Sequence, residues 1–378
     1  MRVAAAATVS AVDAFMTVAI LIVVGAAILA FANGANDVSK GVATLAGSGR
    51  ASYRSAIAWG TLWTFAGGLA SLVISVGLIK TFTSAIVGPE ALSESSFPLS
   101  VAIGAAAWVT LASLTGLPVS TTHAMTGAIV GVALMAGGTS SVQWWMLFSG
   151  IAAPLALSPV VSAAIGYGMH DLASRLSPAC VCVQENISVA ALDVGGTATV
   201  ALAPQIVISS SECAQADGGV RFMPAGALHW GSAAALSFAR GVNDNAKLAA
   251  IAALGLSASG AQLWIAFVVT AVAMTIGSYT AGLRVTQTLG ERVVHMNQDT
   301  GLAAALVAAA VVMTASFYTF PVSTTHVSTG AIVGAGLRQG QSSVQWRHVT
   351  SLVTAWVATI PIAAAFGGGA AWLLAMLV

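Results

Sequence analysis

The chain has 378 residues, of which 57% are hydrophobic and only 7% are charged, and its formal net charge is +1. Water-soluble domains carry about 25% charged residues, so this composition excludes an ordinary soluble fold. The small net charge gives no indication of a nucleic-acid or strongly acidic partner. Apolar stretches long enough to cross a hydrocarbon core of about 30 Å recur along the sequence, which predicts an all-α polytopic protein in a lipid membrane.

The first apolar run begins after Arg2 and extends to Phe31, which is longer than the apolar region of a cleavable signal peptide. We therefore predict a first spanning helix that ends at the Asn-Asp motif (residues 36–37), followed by a short segment bounded by glycines. A second spanning helix is predicted at 55–79. Two shorter apolar segments then meet at Pro118, and a last spanning helix completes this part of the chain.

The same order of features occurs twice. The segment LAFANGANDVSKGVATLAGSG around the first Asn-Asp motif resembles LSFARGVNDNAKLAAIAALG, which begins at Leu236. LPVSTTHAMTGAIVG from Leu117 is matched by FPVSTTHVSTGAIVG from Phe320, and SSVQW from Ser140 recurs from Ser342. Three matched landmarks in the same order indicate an internal duplication. The predicted segments are a first transmembrane repeat at 1–170, a polar insert at 171–225 and a second transmembrane repeat at 226–378.

Each repeat contains a pair of apolar segments that are rather short for spanning helices. A proline lies at the junction of each pair, where its ring and missing N–H interrupt a helix. We predict that each pair forms a re-entrant helical hairpin, which enters and leaves the membrane on one face. The paired segments are 99–116 with 118–136 in the first repeat and 301–319 with 321–337 in the second, where a spanning helix at 261–284 precedes them.

The charges of equivalent loops predict the orientation of the repeats, because cytoplasmic loops near helix ends are enriched in Lys and Arg. The loop at 48–54 contains two arginines, whereas its counterpart near 257–262 contains no charge. The loop at 80–98 is mainly acidic, whereas its counterpart contains Arg284 and Arg292. Equivalent loops are therefore predicted on opposite sides of the membrane, as in inverted-topology repeats. This places both termini outside the plasma (inner) membrane and the insert in the cytoplasm.

The polar insert contains all three cysteines, Cys180, Cys182 and Cys213, which do not form a CxxC pair. We predict reduced thiols without a specific function, and metal binding or a disulfide are the alternatives. Weak alternation in ATVALAPQIVIS, which begins at Ala198, is compatible with strands. We therefore predict a linker or a small cytoplasmic appendage.

Two acidic residues, Asp37 and Asp244, lie in apolar sequence at matched positions of the repeats. A carboxylate inside a bilayer costs roughly 3 kcal/mol even on the lenient insertion scale, so one that is retained usually faces a cavity and serves ion or proton movement. The alternative is a position at a helix end near the lipid headgroups. Lys40, Lys247 and Arg240 are close in sequence and would neutralise part of the charge or attract an anion.

The duplicated PVSTTH motif predicts a helix N-terminus inside the membrane. Proline suits the start of a helix, and Ser or Thr caps the free amide groups. Amides, hydroxyl groups and the positive end of the helix dipole together bind an anion without a basic residue. The alternative is that the hydroxyls only satisfy backbone carbonyls in a broken helix. The predicted anion ligands are Ser120, Thr121, Thr122, Ser323, Thr324 and Thr325.

Inverted repeats would bring the two hairpin tips together near the membrane midplane. The hydroxyls and amides suit a tetrahedral oxyanion, and the carboxylates with unwound carbonyls suit Na⁺ or H⁺. His123 and His326 follow the two motifs directly. We predict that they pack as neutral supporting residues, or alternatively that they donate to the anion or relay protons.

The chain resembles the inorganic phosphate transporter (PiT) family in GANDVSKGVATLAGSG from Gly34, in GVNDNAKLAAI from Gly241 and in the two PVSTTH motifs. The resemblance covers nearly everything except the insert. It implies a homodimer with scaffold and transport portions, outward termini, and elevator-like alternating access with cation-coupled uptake. The segments DVSKG and GVNDNAK depart from many relatives, which leaves the choice of Na⁺ or H⁺ open. The implied ligands of substrate and monovalent cation are Asn36, Asp37, Asn243 and Asp244, with the two Ser-Thr-Thr triplets.

We therefore predict a cation-coupled symporter of inorganic phosphate that needs no cofactor beyond its coupling ion. Sulfate is the alternative substrate, although only a protonated phosphate can donate a hydrogen bond to an aspartate. A passive anion channel is the alternative of another class, since an anion site at a helix terminus does not by itself demonstrate coupling. An enzyme is not predicted, because a GxSxG nucleophile elbow is not evident and duplicated motifs suit transport.

Overall fold

A computed structural model describes residues 2–94, 96–176, 181–188, 201–208, 221–222, 224–258 and 262–377, and the structural statements below refer to these residues. Eight of the described helices are long and apolar enough to cross a membrane. The predicted class, an all-α polytopic membrane protein, is confirmed in the described part of the chain, which otherwise contains three short strands.

The elements before the insert comprise α1 (Arg2–Gly47), α2 (Tyr53–Ile74), α3 (Leu78–Thr81), α4 (Pro89–Ser93), α5 (Phe97–Thr115), α6 (Thr121–Gly137), α7 (Trp144–Met146) and α8 (Ala153–Leu176). The insert contains β1 (Val181–Ser188), β2 (Ala201–Ile208) and β3 (Arg221–Phe222). The remaining elements are α9 (Pro224–Ala258), α10 (Leu263–Ala281), α11 (Leu283–Glu291), α12 (Gln298–Phe317), α13 (Thr324–Gln339) and α14 (Trp346–Ala375).

Two helical hairpins, α5–α6 and α12–α13, lie at the predicted positions, and their bounds agree with the prediction within a few residues. Both are interrupted around the expected prolines. The backbone turns through positive φ at equivalent positions, with +75° at Gly116 and +57° at Thr319. Glycine adopts this conformation without steric cost, whereas threonine rarely does so, and the matched values show that both turns follow the same path.

The prediction that the first helix of each repeat ends at its Asn-Asp motif is wrong. Helix α1 continues through Asp37 to Gly47, and α9 continues through Asp244 to Ala258. The physical reason is that a lysine one turn further along each helix contacts the aspartate, so the acidic group does not have to leave the helix for a polar medium. The interrupted backbone belongs to the hairpins instead.

The two repeats interlock. Helix α6 of the first repeat packs on α14 of the second, and α13 of the second packs on α8 of the first. Glycines allow these pairs to approach closely, because a Cβ on Gly131 would collide with the Ala364 backbone and a Cβ on Gly334 with the Ala163 backbone. The hairpin of one repeat is therefore held by the last helix of the other.

The duplication is also visible in local contacts. An isolated antiparallel bridge joins Val87 to Val142, and an equivalent bridge joins Val294 to Val344. The orientation of the repeats relative to a membrane and the segment boundaries at 170 and 225 stay predictions.

The insert contains a three-stranded antiparallel sheet in the order β2-β1-β3. Strand β2 lies within the segment that was expected to form strands. Cys182 is in β1, whereas Cys180 and Cys213 lie outside the described residues.

Candidate functional site

The second helix of each hairpin begins with a serine cap, where a Ser or Thr cap was predicted. The Ser120 hydroxyl accepts a hydrogen bond from the backbone N–H of His123 at 3.2 Å, and the Ser323 hydroxyl accepts one from the N–H of His326 at 3.3 Å. Both serines have extended backbone dihedrals, as an N-cap requires. Two capped helix N-termini with the same chemistry therefore result from the two copies of one motif.

The two hairpin tips meet and exchange hydrogen bonds. The Thr122 hydroxyl donates to the Val322 carbonyl oxygen at 3.3 Å, and the Thr325 hydroxyl donates to the Val119 carbonyl oxygen at 2.7 Å. Because equivalent atoms are used in both directions, the contact has the form expected of two related elements that face each other. Two of the six hydroxyls, those of Thr122 and Thr325, thus satisfy carbonyls, which was the alternative to a ligand role.

The long helices α1 and α9 bring their polar residues to the same place. The Thr324 hydroxyl of the second hairpin donates to Asp37 Oδ2 at 3.4 Å, and the Asn33 amide donates to the Thr121 hydroxyl at 3.0 Å. All ten predicted ligands are buried. They are Asn36, Asp37, Ser120, Thr121, Thr122, Asn243, Asp244, Ser323, Thr324 and Thr325. The structure therefore brings the predicted set together, and their role as ligands stays a prediction.

Five charged side chains form one buried cluster, which we call the charge cluster: Asp37, Lys40, Arg240, Asp244 and Lys247. The Lys40 ammonium lies 2.6 Å from Asp37 Oδ1. Asp244 has two basic neighbours, with Lys247 Nζ 3.3 Å from Oδ1 and Arg240 Nε 3.7 Å from Oδ2. With all five groups ionised, the charge cluster has one more positive than negative charge. A buried excess of positive charge in a membrane protein favours an anionic ligand.

Arg240 and Asp244 retain unused hydrogen-bonding groups. Arg240 Nη2 donates to the Ser278 hydroxyl at 3.4 Å, but Nε and Nη1 have no hydrogen-bond partner among the described residues. Asp244 Oδ2 also lacks a partner there. Unsatisfied buried donors beside an unsatisfied acceptor are costly in an isolated protein, and such groups commonly mark a ligand site.

Asn36 makes hydrogen bonds that the prediction of a ligand role did not include. Its amide nitrogen donates to the Ser113 hydroxyl at 3.0 Å and to the Leu117 carbonyl at 2.9 Å, while its Oδ1 accepts from the N–H of Val119 at 3.1 Å. These bonds attach the broken segment of the first hairpin to α1. The equivalent Asn243 makes fewer hydrogen bonds, because its Oδ1 has no hydrogen-bond partner in the described part of the chain.

The predicted cation ligands supply suitable atoms, but these atoms already contact ammonium groups. A monovalent cation binds carboxylate, amide and carbonyl oxygens, and Asp37, Asn36 and Val119 provide one of each kind around Lys40 Nζ. Asp244 and Val322 do the same for Lys247 Nζ, with the Thr122 hydroxyl as the third oxygen. The fit of an additional metal cation at either aspartate is therefore poor.

The two histidines have unequal surroundings. Pro159 lacks the N–H that would bond the Leu155 carbonyl, and His326 Nδ1 lies 2.9 Å from that carbonyl oxygen. The His326 ring also lies 4.0 Å from the Trp356 ring, centroid to centroid. His123 Nδ1 has no partner among the described residues. His326 thus compensates for a helix interruption, which supports the packed, neutral interpretation for this residue.

Sequence reasoning placed Lys40, Lys247 and Arg240 near the site without including them among the ligands. The signal that was available is the spacing, because each lysine follows its aspartate by three residues in apolar sequence and therefore shares its helix face. Asn33 was missed altogether. Its contact with Thr121 joins residues that are distant in sequence, so no local pattern indicates it.

Comparison with known proteins places this arrangement in a family. The model of the phosphate transporter family matches residues 33–367. A Bacillus subtilis protein described as "probable low-affinity inorganic phosphate transporter" is 27% identical, over 97% of this chain and 99% of its own length. The chloroplastic inorganic phosphate transporter 2-1 of Arabidopsis thaliana is 28% identical, over 90% of this chain and 69% of its own.

A solved structure of a protein described as "the sodium-dependent phosphate transporter" has the same fold. It superposes with a TM-score of 0.77 at 21% identity and covers 96% of this chain and 100% of its own. At this level of identity the likeness concerns the fold alone. The family match, which spans both hairpins and the charge cluster, shows that the chain is a multi-pass membrane protein that belongs to the phosphate transporter family.

Proposed function

We propose that the protein is a secondary active transporter of inorganic phosphate in the plasma (inner) membrane, with both termini outside. The observation that carries this proposal is the buried charge cluster at the meeting point of two capped helix N-termini. The names of the family and of the curated relatives support phosphate as the substrate. A homodimer and elevator-like movement of a transport portion belong to the same proposal and rest on the resemblance to relatives.

The electrostatics of the cluster support an anionic substrate. Two helix N-termini each contribute a partial positive charge, and the excess cation among the five ionised side chains adds to it. Arg240 is the source of this excess, because each aspartate also has its own lysine. A guanidinium with unused N–H groups binds two oxygens of one phosphate, and the planar geometry gives this contact direction.

Asp244 supports phosphate rather than sulfate. Its Oδ2 is a buried acceptor that receives no hydrogen bond from the described residues, although the Arg240 guanidinium lies 3.7 Å away. A protonated phosphate donates one hydrogen bond to this oxygen and accepts others from the guanidinium. Sulfate has no proton at neutral pH, so its oxygens would face the carboxylate without compensation. A site discriminates strongly against a ligand that leaves one of its buried polar groups without a hydrogen bond.

The closed state of the site supports alternating access. The predicted ligands are buried, with Asp37 1% exposed and Thr325 fully buried. The hydroxyls of Thr122 and Thr325 donate hydrogen bonds to backbone carbonyls of the opposite hairpin. A substrate therefore reaches them only when the contacts between the hairpin tips open. Hydroxyls released by that opening become donors to the anion, so the same residues close the empty site and bind the substrate.

The test is uptake of radiolabelled phosphate by the purified protein in liposomes, under sodium and proton gradients imposed separately. We expect accumulation above the external concentration, competition by unlabelled phosphate and weak competition by sulfate. Asp37→Asn and Asp244→Asn should abolish accumulation in protein that still elutes as a single species. Thr324→Val should slow uptake, and Thr280→Val is its matched control, because the Thr280 hydroxyl only bonds its own helix at an exposed position.

Equilibration of phosphate without accumulation under every gradient would favour a passive channel. Stronger competition by sulfate than by unlabelled phosphate would instead indicate a sulfate transporter. Full accumulation by both aspartate variants would remove the role assigned to the charge cluster.

A further inference from the structure

The surroundings of Lys40 are those of a bound cation. Its Nζ lies 2.6 Å from Asp37 Oδ1, 2.7 Å from Asn36 Oδ1, 3.0 Å from the Asn36 carbonyl oxygen and 3.4 Å from the Val119 carbonyl oxygen. The side chain is fully buried, so bulk water does not solvate its charge. Four protein oxygens, one of them ionised, thus replace the hydration shell of a single positive charge, as they do for a metal ion with oxygen ligands.

The second repeat contains the same arrangement independently. Lys247 Nζ lies 2.8 Å from the Thr122 hydroxyl, 3.1 Å from the Val322 carbonyl oxygen and 3.3 Å from Asp244 Oδ1. The Val119 and Val322 carbonyls are equivalent residues of the two PVSTTH motifs, and the aspartates are equivalent residues of the two Asn-Asp motifs. An ammonium group in an oxygen cage therefore occurs twice in one chain, each time between a long helix and a broken hairpin.

We infer that these two ammonium groups take the place of the alkali coupling cation, so that this chain binds no Na⁺ at its intramembrane aspartates and transports without a sodium gradient. An additional cation at either carboxylate would lie within a few ångströms of a buried ammonium, where like charges repel strongly and no solvent screens them. The description "sodium-dependent" belongs to the structural neighbour and not to this chain. The first part of the inference, the absence of a Na⁺ site at the aspartates, does not depend on the proposed function. The second part, transport without a sodium gradient, rests on it.

Direct sodium binding tests the first part without any transport. Radioactive sodium is titrated onto the purified full-length protein in sodium-free detergent buffer. We expect no saturable binding to the wild type and to Lys40→Arg, and one gained saturable site in Lys40→Ala, where the removed side chain leaves the oxygens free. Lys247→Ala should gain a site in the same way. Lys80→Ala is the matched control, because Lys80 is exposed outside the charge cluster, and it should behave as the wild type.

Transport tests the second part. Phosphate uptake into liposomes should have the same initial rate with an inward sodium gradient and with N-methylglucamine in its place, because a ligand without a binding site does not shift a conformational equilibrium. Saturable sodium binding by the wild type, or uptake that requires sodium, would overturn the inference. It would equally be overturned if folded Lys40→Ala and Lys247→Ala both gained no sodium site. Absence of phosphate uptake in every buffer would contradict the proposed function instead, while the binding titration would still decide the first part.

Discussion

Removal of each lysine should destabilise the protein to a different extent, although the two lysines are equivalent in sequence. In Lys40→Met the buried carboxylate of Asp37 loses its only basic neighbour within 4 Å among the described residues. In Lys247→Met the carboxylate of Asp244 still has Arg240 Nε at 3.7 Å. Methionine is chosen because it fills most of the lysine volume without a charge, so that the comparison concerns electrostatics rather than a cavity.

The distances give the expected magnitudes. At an effective dielectric constant of about 20, the attraction is about 6 kcal/mol for Lys40 and Asp37 at 2.6 Å, and about 4.5 kcal/mol remains for Asp244 with Arg240 at 3.7 Å. Breaking a buried pair by removing one partner costs about 3–5 kcal/mol after solvation is included. We therefore expect Lys40→Met to lower the free energy of unfolding by about 3–5 kcal/mol. Lys247→Met should lower it by about 1–3 kcal/mol, because this change leaves buried polar groups unsatisfied but does not leave the Asp244 carboxylate without a basic neighbour.

The assay is urea unfolding in sodium-free detergent micelles, followed by tryptophan fluorescence. The double variant Asp37→Asn with Lys40→Met is the decisive control, since it removes both charges and should be more stable than Lys40→Met alone. An equal loss of unfolding free energy in the two lysine variants, or a larger loss in Lys247→Met, would show that Arg240 does not stabilise the charge of the Asp244 carboxylate. A double variant as unstable as Lys40→Met would show that the loss came from packing.

Arg240→Met should leave the protein at least as stable as the wild type in equilibrium unfolding, because the guanidinium has N–H groups without a hydrogen-bond partner among the described residues. The affinity for phosphate, measured by titration calorimetry, should fall at least tenfold, or by about 1.4 kcal/mol. His326→Phe should cost about 0.5–1.5 kcal/mol of unfolding free energy, because the Leu155 carbonyl loses one hydrogen bond and keeps the one from the Ser158 hydroxyl, whereas His123→Phe should cost less. Gly334→Val should lower the thermal midpoint clearly more than Gly168→Val, a control glycine with open space around its Cα.

Features that depend on local chemistry could be predicted from the sequence. The break before each second hairpin helix follows from a proline that lacks an N–H and from hydroxyl residues that cap the next turn, and the caps, Ser120 and Ser323, lie within the predicted Ser-Thr-Thr clusters. The duplication then allowed each prediction to be checked within the same chain. Membrane insertion follows from composition alone, since no soluble shape buries so much apolar surface.

Features that depend on distant contacts could not be predicted. The bonds of Asn36 to Ser113 and to the backbone of residues 117 and 119, which attach a hairpin to α1, were not predicted. Such partners lie more than seventy positions away in sequence, where no periodicity or motif spacing indicates them.

The asymmetry between the two repeats would explain how a duplicated site acquires the proposed preference for anions. Position 33 of the first repeat corresponds to position 240 of the second, and these positions hold Asn33 and Arg240. Two copies of the first repeat would each contribute one aspartate and one lysine, and the cluster would then be neutral. The single arginine leaves a positive charge and unused N–H groups that the described residues do not satisfy. A buried charge is tolerated when a ligand of opposite charge neutralises it, so the residue that breaks the internal symmetry, Arg240, is also the one that we propose to bind the anion.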